Sequence, residues 1–197
     1  MTKETWKLMD EINKDLSDRA LNLTMIRCAP FFTGMKPSVL LTIGGGIFAS
    51  VSRMQDYMDF KAEILFTDAC RQILFLYREK DLAERLREPE TERLMRRYGY
   101  DLQDPDLGMI LPRLRTRYDR YMRTREDFPH EIGLLLGYPA EDVRGFVEHQ
   151  GEDYRYNGYW KVYGDVERAK EIFAGYAKAE EWLLRLITLR LRGRHRV

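Results

Sequence analysis

Pro37-Ser-Val-Leu-Leu-Thr-Ile-Gly44 is a short apolar run closed by proline at one end and glycine at the other, and it reads as a buried strand rather than a helix. A second run, Arg71-Gln-Ile-Leu-Phe-Leu-Tyr77, carries the branched and aromatic side chains that suit a pleated surface, and Asp59 to Phe66 supplies an antiparallel partner. Gly44-Gly-Gly46 follows the first strand. It lacks both the Gly-Lys-Ser/Thr ending and the Gly-x-Gly-x-x-Gly spacing that give a phosphate loop its mechanism, so it reads as a flexible turn.

Outward from these runs the pattern is mostly helical. Lys3 to Arg27 places Trp6, Met9, Ile12, Leu16, Leu23 and Ile26 near a 3.6-residue period, which predicts one or two helices ended by Cys28-Ala-Pro30. Glu79 to Tyr98 is densely charged with a thin stripe of Leu82, Leu86 and Leu94, which predicts two helices broken at Pro89. From Asp106 to Arg123, Leu107, Ile110, Leu111, Leu114, Tyr118, Tyr121 and Met122 recur at three and four, so one face is core; the opposite face carries Arg113, Arg117 and Arg120. Phe128 to Gly137 predicts a short helix with Pro129 in its first turn and Gly137 just past its end, and Pro139 starts another that reaches His149. Tyr154 to Tyr163 reads as a hairpin or extended loop, and Asp165 caps a long final helix with Val166, Ala169, Ile172, Phe173, Tyr176, Ala179, Leu183, Leu186 and Ile187 on its core face. The expected fold is α+β: a mostly helical single domain over residues 1–197, with a small, mostly antiparallel sheet covered on one side by helices and a long C-terminal helix.

Composition narrows the function classes. Lys plus Arg number 33 and Asp plus Glu 32, a formal net charge of +1, so no overall field would hold nucleic acid or an anionic membrane. No stretch approaches the roughly 18 apolar residues of a membrane span, and the charged start Met-Thr-Lys-Glu-Thr-Trp6 does not resemble a secretion signal, so the expected location is the cytoplasm. Cys28 and Cys70 lie far apart, without the spacing of a zinc site or a disulfide framework, and His130, His149 and His195 show no helical pairing; no metal is expected.

Four segments together resemble the domain of unknown function 3793 family, an uncharacterised family of bacteria, mainly anaerobic Firmicutes. They are Cys28-Ala-Pro30 with Gly34-Met-Lys-Pro37, then Leu76-Tyr-Arg78, then Phe128-Pro-His-Glu-Ile-Gly133 through Gly137-Tyr-Pro139 and Glu141-Asp-Val143, and last Gly158-Tyr-Trp-Lys-Val-Tyr163. The likeness spans nearly the whole chain and implies a similar small cytosolic protein, but no reaction.

Several residues in these segments are candidates for chemistry. His130 opens a predicted helix, where the positive end of the macrodipole disfavours an imidazolium, and a neutral imidazole there would serve as a general base; alternatively it bonds a loop and locks the Phe-Pro turn. Cys28, at a helix end, is either a nucleophile activated by a folded-back cation or a packed thiol. Lys36, Arg78 and Lys161 would make an anion site if they converged. Tyr154, Tyr156, Tyr159, Trp160 and Tyr163 would stack on a flat ligand such as a flavin, haem or base, or pack on the sheet. The arginines of 113–125 and the five from Arg185 onward form basic patches that an acidic partner would use, or else solvated faces paired with the acids of Glu79 to Glu92; nucleic acid is not expected, since no binding motif is present.

Three functions follow. The first is binding of a small anionic or aromatic ligand or an unidentified cofactor in a pocket gathering Lys36, Tyr77, Arg78, His130, Tyr159, Trp160 and Lys161. The second is a non-catalytic interaction or regulatory module using the same aromatic and arginine residues on a flat face. The third is a redox or transferase enzyme using His130 or Cys28.

Overall fold

The computed structural model describes residues 25–44, 51–52, 54–56, 58–102 and 106–194. Of the helices expected over Lys3 to Arg27, residues 3–24 lie outside this set, as do Gly45 and Gly46 of the glycine turn and His195, while residues 25–27 are helical.

The sequence runs α1 (Ala29–Phe32), β1 (Ser38–Ile43), β2 (Lys61–Thr67), β3 (Gln72–Tyr77), α2 (Glu79–Leu86), α3 (Pro89–Arg97), α4 (Leu107–Thr124), α5 (Glu131–Leu135), α6 (Ala140–Glu148), β4 (Tyr156–Asn157), β5 (Lys161–Val162) and α7 (Val166–Arg194). β3 is the central strand of a three-stranded antiparallel sheet, pairing Tyr77 with both Ser38 and Lys61. Its near-continuous apolar run is what a strand buried on both faces requires.

Both faces are indeed covered, which corrects the expected one-sided sheet. Ile73, Phe75 and Tyr77 point into the larger core with Leu82, Leu86, Leu94, Leu111 and Leu114 from α2, α3 and α4. Leu74 and Leu76, on the alternate face, pack with Cys28, Phe31, Val39, Leu41, Met54 and Phe60. A bulge between Ile64 and Phe66 lets Leu65 and Phe66 both join the larger core. Periodicity shows that β1 and β3 are buried; it does not show that short segments before β1 and β2 roof their second face.

Most helix limits follow their local signals. Asp106 caps α4 by accepting from the Gly108 amide at 2.8 Å, and Asp165 accepts from the Arg168 amide at 3.0 Å at the start of α7. Pro89 opens α3, and Gly137 ends the α5 turn with φ at +84°. Two polar ties seat α5 against the sheet and α2. Buried Ser38 donates its hydroxyl to the Leu135 carbonyl at 2.7 Å, and Arg85 donates to the carbonyls of Leu134 and Tyr138. The chain is α+β, helix-rich, with small antiparallel sheets and a long C-terminal helix.

Candidate functional site

The β4–β5 hairpin is too short to hold itself, since each strand has two residues and both β4 residues are exposed. A single carboxylate fastens it. Asp142 of α6, 3% exposed, accepts from the Trp160 indole N–H at 2.7 Å with one oxygen. With the other it accepts the backbone N–H groups of Tyr163 at 2.7 Å and Gly164 at 2.9 Å. Three donors satisfy a buried charge that would otherwise be costly to desolvate.

Rings complete the anchorage. The Trp160 indole stacks on Tyr138 at 5.0 Å and meets Phe173 of α7 edge-on at 4.4 Å. The close approach needs Gly158, where an added Cβ would come within 2.2 Å of the Phe173 ring.

This wall closes one side of a pocket of about 270 Å³. Leu40 of β1 and Ile132, Gly133 and Leu136 around α5 form part of it; Tyr138, Val143 and Phe146 form another part; Phe128 and His130 stand opposite the hairpin residues Tyr159, Trp160 and Lys161. Lys161 donates its ammonium to the Gly151 carbonyl at 2.6 Å and lies 4.8 Å from the centre of the Tyr154 ring. Tyr159 is pushed up to about 12 by burial and then by Glu180, so its hydroxyl stays protonated.

His130 packs edge-on to Phe128 at 5.1 Å and tilted against Phe146 at 5.7 Å. Burial first, and the Arg117 guanidinium second, hold its pKa below the ordinary 6.5, leaving a neutral imidazole at pH 7. The direction agrees with the helix-end argument, yet the causes are burial and a facing cation. Next to it in sequence, Glu131 is wholly buried: one oxygen lies 3.0 Å from Arg117 Nε and accepts the Tyr100 hydroxyl at 2.9 Å, while its second oxygen has no hydrogen-bond partner among the described residues.

His130, Tyr159, Trp160 and Lys161 therefore line one pocket. Lys36 stands behind it, with its ammonium 5.5 Å from the centre of the Tyr138 ring and 5.8 Å from that of Tyr176, and burial lowers its pKa. Arg78 and Tyr77 are elsewhere. The Arg78 guanidinium donates to the carbonyls of Phe31 and Lys36 and pairs with Asp81, so it ties the segment before β1 to the start of α2. Tyr77 stacks on Phe75 at 5.8 Å inside the larger core. The expected convergence of Lys36, Arg78 and Lys161 is thus corrected: backbone carbonyls occupy Arg78, and only Lys161 reaches the pocket.

Cys28 is no nucleophile in this arrangement. It is 1% exposed and burial pushes its thiol up to about 12, with Lys36 only partly opposing, so the thiolate is absent at neutral pH. As expected it ends a helix, since residues 25–27 are helical and Cys28 is the turn after them, and it is also the N-cap residue of the four-residue α1. Among the described residues no group of three His, Cys, Asp or Glu side chains is placed to hold a metal ion.

Asp142, Tyr138, Phe128, Phe146 and Glu131 were not singled out from the sequence. For Asp142 and Glu131 a signal was present: each is an acid beside apolar neighbours, in Glu-Asp-Val143 and Glu131-Ile-Gly-Leu-Leu.

The model of a family described as Protein of unknown function (DUF3793) matches residues 24–192. No curated protein and no solved structure matches the chain.

Proposed function

The chain belongs to the DUF3793 family, and from its geometry we propose that it binds a small ligand with a flat apolar or aromatic body in the pocket between α5, α6 and the β4–β5 hairpin. The observation that carries this reading is the convergence of Phe128, His130, Tyr138, Phe146, Tyr159 and Trp160 from separate elements on one hollow of about 270 Å³. A cavity of about 150 Å³ takes a benzene ring, so this one suits a body of one or two rings rather than a haem macrocycle. Neutral His130 supplies one hydrogen bond inside, and the Lys161 ammonium at the rim supplies positive charge for an anionic substituent. Trp160 contributes an edge, because Asp142 and Phe173 hold the rest of the indole in the core.

A thermal-shift panel of one- and two-ring aromatic acids and cofactor fragments tests the reading. A true ligand at about ten times its Kd adds about 1.4 kcal/mol, which raises Tm by roughly 3–5 °C in a chain of this size. That rise disappears in His130→Ala while the unliganded melting of the variant remains cooperative. A panel that moves Tm nowhere defeats the proposal. A second reading, a protein contact through the exposed Tyr154, Tyr156 and Tyr159, then takes its place and predicts a partner that dissociates on Tyr156→Ala.

A further inference from the structure

Phe128 and His130 have a second side. There a separate hollow of about 550 Å³ is lined by Tyr98, Arg113, Arg117, Arg120 and Asp127 together with these two residues. The three arginines recur at intervals of four and three along α4, which sets them on one helix face, flanking the buried stripe of Ile110, Leu111, Leu114 and Tyr118. Like charges at this spacing repel one another. Among the described lining residues the single carboxylate is Asp127, and its 3.5 Å pair with Arg120 is exposed on both sides, which makes it a weak compensation.

Other protein groups aim the guanidiniums. Arg117 is drawn down onto the buried Glu131 carboxylate through Nε and remains 31% exposed. Arg113 donates from Nη2 to the Tyr98 carbonyl at 3.2 Å and lies 4.9 Å from the centre of the Tyr100 ring. Gly99, at φ +81°, leaves room for it, since a Cβ there would meet Arg113 Nη2 at 2.6 Å. Each of these polar contacts uses one of the five N–H donors that a guanidinium carries. Arg113 and Arg117 are thus oriented before any ligand arrives, which lowers the entropy lost on binding, while Arg120 remains the exposed member of the three.

We propose that this cleft is a binding site for a small oxyanion, the phosphoryl or carboxylate group of a metabolite, gripped by Arg113, Arg117 and Arg120. Planar forks set at fixed positions match the oxygens of either group. The site is independent of the apolar pocket, because its donors all lie on α4.

His130 makes the site observable, since it faces both hollows. It lines the cleft together with Arg113, Arg117, Arg120, Asp127 and Tyr98, with Glu131 next to it in sequence, and it lines the pocket together with Asp142, Lys161, Tyr138 and Tyr159. An anion on the arginines offsets the Arg117 charge that disfavours the imidazolium, so the imidazole midpoint rises when the cleft fills.

Inorganic phosphate and, separately, acetate are titrated into the full chain at constant ionic strength made up with chloride, and the ring-proton NMR signals of the three histidines are followed. The expected result is a saturable movement and a raised midpoint for His130 with either anion, while His149 and His195 stay put. Arg113→Gln and Arg120→Gln each weaken half-saturation roughly fivefold or more, and Val143→Phe, which fills the apolar pocket, leaves it unchanged. Three results overturn the proposal: no saturation of the His130 signal below about 50 mM with either anion, parallel movement of all three histidines, or unaltered binding in both arginine variants.

Discussion

On one side of Phe128 and His130 the chain has collected rings and aliphatic side chains around about 270 Å³; on the other it has set three arginines around about 550 Å³. The apolar hollow exists because distant pieces of chain are fastened around it: β1, α5, α6 and the hairpin all contribute, and the hairpin depends on Asp142 and Phe173. The arginine hollow lies along one exposed helix face, and its neighbours aim the side chains without burying them fully. A wall made by tertiary packing and a wall made by helical spacing therefore respond differently to substitution. Loss of a fastening group unravels the first, whereas loss of a charge leaves the second folded and weaker in attraction.

The largest effect is expected at Asp142. Asp142→Ala strands the Trp160 indole N–H and the Tyr163 and Gly164 amides, and hydrogen bonds to a charged acceptor are worth about 1.5–3 kcal/mol each. Urea unfolding is expected to show a loss of about 3–5 kcal/mol; a loss under about 1 kcal/mol would mean that the rings alone hold the hairpin. Next comes Gly158→Ala, whose methyl overlaps the Phe173 ring and is expected to cost about 1–3 kcal/mol, read the same way.

His130 sharpens the comparison through pH. Its pKa is depressed in the folded chain by burial and then by Arg117, so the unfolded chain binds this proton more tightly. The His130 contribution to stability is complete above 6.5 and is lost as the pH falls through 6.5 toward the folded midpoint, where the loss levels off. Unfolding measured between pH 7 and 5 is expected to decline less steeply in His130→Asn than in the parent; equal slopes would place the imidazole in an unperturbed setting. The smallest effect is expected from Arg120→Gln, within about 0.5 kcal/mol in stability, because its pair with Asp127 is exposed. A larger loss would make the arginine face part of the frame.

How much of this is legible in the sequence follows from the reach of each interaction. Strands β1 and β3, the break at Pro89, the caps at Asp106 and Asp165 and the turn at Gly137 depend on residues within a few positions of one another, and the sequence reading placed them within one or two residues. His130, Tyr159, Trp160 and Lys161 were drawn from two separate segments and line one hollow. Arg78 looked like a free cation because a backbone carbonyl more than 40 positions away leaves no mark on composition or period. For Glu131 and Asp142 the apolar neighbours hint at burial, but the donors that make them structural lie 31 positions away at Tyr100 and 18 away at Trp160 and cannot be read from that hint. The face carrying Arg113, Arg117 and Arg120 was visible from spacing. What was not visible is that Glu131 holds Arg117, and Tyr98 and Tyr100 hold Arg113, around a cleft that His130 also lines.

Methyl-detected NMR of the full chain during titration with a two-ring aromatic acid bears most directly on the central claim that the apolar hollow receives a ligand. Saturable shifts at the methyl groups of Ile132, Leu136 and Val143, with the His130 ring moving in step and all of them absent in Val143→Phe, are the predicted result. Shifts confined to residues beside the exposed Tyr156–Phe173 surface, or no saturation at any of these methyl groups with the whole aromatic panel, would contradict it.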